Sequence, residues 1–227
     1  MLWSFLRNMV RERKLIEIDN PSVEQHQIQR KRVLNVGGND KRIPIPQHYD
    51  QWDHVMLDID PKGLPDVVCD ARELVTLPAS EYDSIYCSHN LEHYYRHDVP
   101  KVLAGFLHVL KNEGFVYIRV PDMGELMRKI ANEDLDISDF LYQSPAGPIT
   151  VMDVIYGYGD EIERTGHDFF AHKTGFTEKS LNATLTKAGF PHVFSQASNL
   201  EITAIGFIDL PSDEQLARLN ISETKLA

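Results

Sequence analysis

The chain has 227 residues, of which 23 are basic and 34 acidic, giving a net charge of −11 at neutral pH. That length can bury a full core in one domain with insertions or in two small ones. The acidic balance, with no local basic patch, argues against a nucleic-acid partner, and no apolar run approaches the roughly 18 residues of a membrane span.

Two cysteines, Cys69 and Cys87, show neither metal-type spacing nor a disulfide framework, which fits a reducing, cytoplasmic setting. The N-terminal Met1 to Leu6 meets Arg7 too early for a secretory signal. Leu2, Leu6, Met9 and Val10, with Trp3 alongside, fall at helical spacing. They read as a short helix on the domain itself or on a dimer mate, followed by a polar arm to about residue 30.

From there strands and helices alternate. Residues 32–36 form the first strand and 54–59 the second; between them Pro44 and Pro46 forbid a regular helix interior, leaving at most a short helix near 47–52. Residues 66–70 and 82–87 read as the third and fourth strands. Pro100 opens an amphipathic helix carrying Val102, Leu103, Phe106, Leu107 and Leu110, stopped at 111–114. A fifth strand over 115–120 ends at Pro121. A helix at 181–188 stops at Gly189, and 192–195 with 200–207 look like an antiparallel hairpin.

The pattern predicts an α/β, doubly wound, Rossmann-like fold: a mostly parallel seven-stranded sheet closed by a C-terminal antiparallel hairpin. Domain organisation follows: an N-terminal helix and arm (1–30), a main domain (31–210), and a charged surface tail (211–227). Residues from about 122 to 179 interrupt the alternation with helical pieces at 124–131 and 151–156 around a loop at 144–148. An insertion after a central strand overlies the ligand crevice of such a sheet, so it reads as a lid. Tyr156 and Tyr158, beside Gly157 and Gly159, suggest a mobile, aromatic-lined lid edge.

The strand ends are chemically marked. Gly37-Gly38 follow the first strand, and Asp58 stands 21 positions after Gly37 (58 − 37), close to the roughly twenty expected of a ribose-binding acid. Asp60 is its near neighbour, facing away. Asp70, ending the third strand, could accept from an adenine amino group. A dinucleotide fingerprint needs a third glycine and a helix N-terminus for the pyrophosphate; here no further glycine follows and prolines stand in the helix's place. These features favour S-adenosylmethionine over a nicotinamide or flavin dinucleotide.

The segment resembles the class I S-adenosylmethionine-dependent methyltransferases, of the type 11 kind. The resemblance rests on residues 34–37 (the glycine motif), 57–60 (the ribose acid), 69–71 (the adenine acid), 82–93 (the fourth strand ending in Leu91-Glu92-His93) and 110–115. It implies a cofactor site of Asn35, Gly37, Gly38, Asp58, Ile59, Asp70, Ala71 and Ser88. Asn35 stands where the family usually has an acid, and Asn39 where it has a second spaced glycine.

A methyl acceptor that is protonated at working pH needs a base. His89, directly after the fourth strand, is the candidate; His93, one turn on, is the second and reads also as a structural histidine. Within the lid, His167, His172, Lys173 and Tyr156 are the candidate substrate-binding residues. His167 and His172 share neither a helix face nor a strand face, so no metal is expected. The predicted function is methyl transfer to an O or N atom of a small metabolite or sugar-type acceptor, by a chain with no integral membrane association that could form a homodimer. The alternatives are a non-catalytic binding protein of the same fold and a nicotinamide-dependent oxidoreductase.

Overall fold

A computed structural model describes residues 30–222. The expected N-terminal helix and arm, and the last five residues of the tail, lie outside the described residues. Among those described, no helix is long and apolar enough to cross a membrane.

The first strand, β1 (Arg32–Val36), pairs in parallel with β2 (Asp53–Asp58) on one side. β2 in turn pairs with the two-residue β3 (Val67–Val68). On its other side β1 pairs with β4 (Tyr82–Ser88). Leu34 and Val36 enter one core while Val33 enters the core on the opposite face. Burial on both faces is why β1 reads as a nearly continuous apolar run.

The prolines act as the sequence predicts. Pro46 precedes a single 3-10 turn (Gln47–Tyr49) in place of a crossover helix. Tyr49 plugs the face that a helix would have covered. Its ring lies 5.3 Å from Trp52, 6.0 Å from Tyr86 and 6.3 Å from Phe115. Its buried hydroxyl is 2.8 Å from that of Ser84, so neither polar group is left bare.

A 3-10 helix (Ala71–Thr76) follows β3 and packs on α1 (Val99–Val109). Gly105 allows that approach, since a Cβ there would stand 2.6 Å from the Leu74 Cβ. Val102, Leu103 and Phe106 of α1 are fully buried, each worth about 1.5–3 kcal/mol of transfer free energy.

The chain enters β5 (Leu110–Pro121) without a loop. Residues 111–114, expected to stop the helix, instead form a bulge where the β4–β5 register shifts between Tyr82 and Ser84. A Cβ on Gly114 would stand 2.8 Å from the Lys111 carbonyl oxygen, so the tight bulge needs glycine.

After β5 come α2 (Met123–Glu133), the hairpin β6 (Phe140–Ser144) and β7 (Gly147–Thr150), then α3 (Val151–Tyr156) and α4 (Gly159–Thr165). Ser144 to Pro148 is therefore a hairpin turn with its following strand, not a free loop. The Ser144 hydroxyl accepts from the Ala146 amide at 3.1 Å and donates to the Gly147 carbonyl at 3.0 Å. Gly157 is a close crossing rather than a loose edge: a Cβ there would meet the Phe170 carbonyl oxygen at 1.9 Å.

The chain finishes with α5 (Glu178–Ala188), the antiparallel pair β8 (His192–Ser198) and β9 (Glu201–Phe207), and α6 (Asp213–Arg218). A Thr177–Ser180 capping box opens α5, and Gly189 at φ +120° closes it. The sheet order is β3-β2-β1-β4-β5-β9-β8. It is the predicted Rossmann-like sheet, with seven strands and the C-terminal hairpin at its edge.

Candidate active site

In this sheet the chain runs one way from β1 to β3 and the other way from β4 to β5. The switch point lies between β1 and β4, and ligands bind outside the carboxyl ends of the strands there. Two clefts, of about 320 and 450 Å³, lie elsewhere. The larger is lined by Lys31, Trp52 and Asp83, which precede or begin strands, so it opens at the amino ends. Topology outweighs cleft size, and the site is taken at the carboxyl ends.

At the switch point the loop after β1 touches the loop after β4. Gly37 has φ +72°, and a Cβ on it would lie 2.2 Å from Asn90 Nδ2. Gly38 is as tightly held, its Cβ position being 2.5 Å from Asn35 Nδ2. Asn35 is buried, with Nδ2 3.2 Å from His54 Nε2. It thus orients the loop from beneath.

Asp58 accepts the amides of Asn39 at 3.0 Å and Asp60 at 2.9 Å. A carboxylate has about four acceptor positions, so two remain for the hydroxyls of a ribose. Asp60 caps the next turn through the Lys62 amide at 2.9 Å. Ile59 is 40% exposed at the same edge. No helix N-terminus follows the glycine loop, so it offers no diphosphate site. The residues present fit a phosphate-free nucleoside such as S-adenosylmethionine.

Asp70 is more committed than its sequence suggests. It caps the 71–76 turn through the Arg72 amide at 2.9 Å and grips the Arg72 guanidinium at 2.6 Å. Burial would raise its pKa, but the Arg72 hydrogen bonds hold it below the usual carboxylate range. Ala71 is buried in the core, and Ser88 is the last residue of β4.

His89 sits at φ +48°, in the left-handed region. Its Nε2 is 2.8 Å from Glu201 Oε2 and its Nδ1 is 3.5 Å from Glu92 Oε1. Glu201 is also held by both Nε and Nη2 of Arg119. Burial pulls the His89 pKa down, but the hydrogen bond to Glu201 and the nearby negative charge of Glu92 outweigh it and raise the pKa to about 9. The ring is therefore an imidazolium at neutral pH. Its two carboxylate neighbours compete with any role of His89 as a base.

His93 has both ring nitrogens on backbone carbonyls, Nδ1 3.1 Å from Ala171 O and Nε2 3.1 Å from His89 O. It ties the turn after β4 to the segment returning from α4. The Glu92 carbonyl adds two ties, accepting the amides of Lys173 at 2.8 Å and Thr174 at 3.1 Å.

The lid residues divide. His172 joins His93, ring centroids 5.0 Å apart, and its Nδ1 donates to the Val154 carbonyl at 2.9 Å. Burial outweighs the opposing pull of Glu92, lowers its pKa and favours the neutral ring. Lys173 is bound to Asp168 at 3.0 Å and lies over Tyr95. His167 is exposed and stacks on Phe169, and Tyr156 is 58% exposed at the end of α3. Neither joins the histidine cluster.

Sequence reading missed Glu92, Glu201 and Asn90. Glu92 had a signal: it is the acid inside Leu91-Glu92-His93, and it is 1% exposed.

The arrangement of switch point, glycine loop and strand-end acid defines a methyltransferase fold of the class I, S-adenosylmethionine-dependent kind. Residues 25–118 match the family model described as a methyltransferase domain. A methyltransferase of Archaeoglobus fulgidus is similar in fold, with 15% identity and a TM-score of 0.50, over 78% of this chain and 86% of that one. One from Methanosarcina mazei is similar at 16% identity and a TM-score of 0.50, over 84% of this chain and 99% of that one. No curated protein matches in sequence. Residues 25–118 thus carry a methyltransferase-domain match within a fold shared with S-adenosylmethionine-dependent methyltransferases.

Proposed function

We propose that the chain methylates an O or N atom of a small metabolite or sugar-type acceptor, held beneath the segment between β5 and α5. The observation that carries this reading is where that segment returns. Its residues Ala171 to Thr174 bond to His93 and Glu92, immediately after the β4 end that meets the glycine loop. A segment anchored there acts as a lid over the cofactor's reactive end and favours a compact acceptor over a polymer. The acidic net charge of −11 supports the same preference.

S-adenosylmethionine, when bound, supplies an electrophilic methyl group. The chain's own contribution is alignment and exclusion of water, effects that reach roughly 7–11 kcal/mol in well-oriented systems. In this reading Asp58 holds the ribose and Gly37-Gly38 let the backbone come close. His89, as an imidazolium, donates rather than accepts and fixes the rim between Glu92 and Glu201.

Calorimetry with S-adenosylhomocysteine, followed by turnover on a panel of small O- and N-nucleophiles, tests the reading. Cofactor-product binding with turnover on at least one small acceptor is the expected result. Turnover confined to protein or nucleic-acid acceptors would overturn the acceptor class, and absence of cofactor-product binding would overturn the site.

A further inference from the structure

The carboxylate of Glu92 is 1% exposed, and neither of its oxygens accepts a hydrogen bond. Buried carboxylates normally have partners, so the surroundings of this one matter. His172 faces it, with Nε2 4.0 Å from Oε1. Because the His172 Nδ1–H donates to the Val154 carbonyl, Nε2 is the ring nitrogen turned toward Glu92. An imidazole nitrogen and a carboxylate oxygen thus face one another in a nearly dry place with no hydrogen bond between them. His93 has a carbonyl oxygen 3.1 Å from each ring nitrogen, so a ligating nitrogen would exchange one of these contacts for the ion.

We propose that Glu92, His93 and His172 bind a divalent transition-metal ion of the zinc class. One ligand atom from each lies within 4.8 Å of the others. Around an ion with bonds of about 2.0–2.1 Å, tetrahedral ligand atoms stand about 3.4 Å apart. No pair therefore has to close by more than about 1.4 Å, within the reach of side-chain rotation.

The donor set selects the ion. Two imidazoles and one carboxylate suit zinc, cobalt or nickel, whereas magnesium and calcium require oxygen cages. The Nδ1–H bond of His172 to Val154 is the outer support that fixes the tautomer and aim of a ligating histidine. His89 is the only other cation within reach of Glu92 among the described residues. It stands 3.5 Å from one oxygen, is already committed to Glu201 at 2.8 Å, and leaves His172 Nε2 unserved. Three protein ligands leave a fourth position for water or another ligand. Glu92 and His93 belong to the turn after β4, while His172 belongs to the returning segment, so the ion would cross-link the two.

The test uses the full chain freed of metal by a chelator. Titration with Zn²⁺ by calorimetry, and with Co²⁺ followed by its visible absorption, should give one ion per chain and a spectrum of nitrogen and oxygen ligation. Glu92→Gln, which keeps the size and removes the charge, and His172→Ala should each weaken Zn²⁺ binding at least tenfold. His167→Ala, an exposed histidine outside the set, should leave it unchanged. A second measurement needs no variant: hydrogen exchange of the wild-type chain should slow around residues 154–174 when Zn²⁺ is added. Failure to bind Zn²⁺, equal affinity in Glu92→Gln and wild type, or exchange unaffected by the ion would each overturn the proposal.

Discussion

Replacing Gly37 by alanine tests the meeting of the β1 and β4 loops. Its φ of +72° places any L side chain in the left-handed region, at about 1–2 kcal/mol. The new Cβ would also stand 2.2 Å from Asn90 Nδ2, 2.5 Å from its Cγ and 3.0 Å from its Cβ. Overpacking of that kind costs about 1–3 kcal/mol, so the total is about 2–5 kcal/mol. Gly166 supplies the comparison: it has nearly the same φ, +69°, with nothing within 4 Å of its Cβ position. Gly166→Ala should therefore show the backbone part alone, and the loss of chain entropy in the unfolded state is common to both. Urea unfolding at equilibrium should place Gly37→Ala about 1–3 kcal/mol below Gly166→Ala. In an Asn90→Ala background, which leaves only the contact at 3.0 Å, the difference should shrink. Equal losses at the two glycines, or a Gly37→Ala loss unaffected by Asn90→Ala, would refute the close approach.

Asp58→Ala should weaken S-adenosylhomocysteine binding by at least about ten- to a hundredfold, the worth of losing one charge-assisted hydrogen bond of about 1.5–3 kcal/mol. Asp60→Ala should leave it unchanged, and equal effects in calorimetry would remove Asp58 from its role. Burial, helped by the Arg218 charge, lowers the His48 pKa to about 4. The unfolded chain therefore takes up a proton that the native state refuses: stability is full above about pH 6.5 and falls as pH drops toward 4. His48→Gln should gain on the wild type in urea melts between pH 7 and 5; parallel curves would count against the assignment. Asp134, exposed at φ +53°, ends α2 with a negative charge beside the helix C-terminus. Asp134→Gly should stabilise by about 1 kcal/mol, and an unchanged melting temperature would contradict this.

The sheet was legible because its rules are local. Val33, Leu34 and Val36 put apolar side chains on both faces, Pro44 and Pro46 exclude a helix, and Gly189 ends α5. The β6–β7 hairpin was not, because Pro145 and Pro148 hid a short strand pair among turn residues. Residues 111–114 look like a helix stop and become a bulge only because β4 is there to pair with. The site divides the same way. Asp58 and the glycines are marked by spacing along one stretch of chain. The protonation of His89 depends on Glu201, and the company of Glu92 depends on His172, eighty positions away (172 − 92). Such partners are set by topology, which side-chain type does not report.

The place of β9 has a consequence for synthesis. It pairs with β5 from Phe115 to Pro121, yet it leaves the ribosome about eighty residues later (201 − 121). Until residue 207 emerges, β5 presents one side as a bare strand edge rich in buried-type residues, the form most prone to pair with another chain. Its partner also delivers Glu201 to Arg119 and His89, and Leu200 to the Asp122 amide at 2.8 Å. The nascent chain thus completes its aggregation-prone edge and the rim of its catalytic crevice in one step.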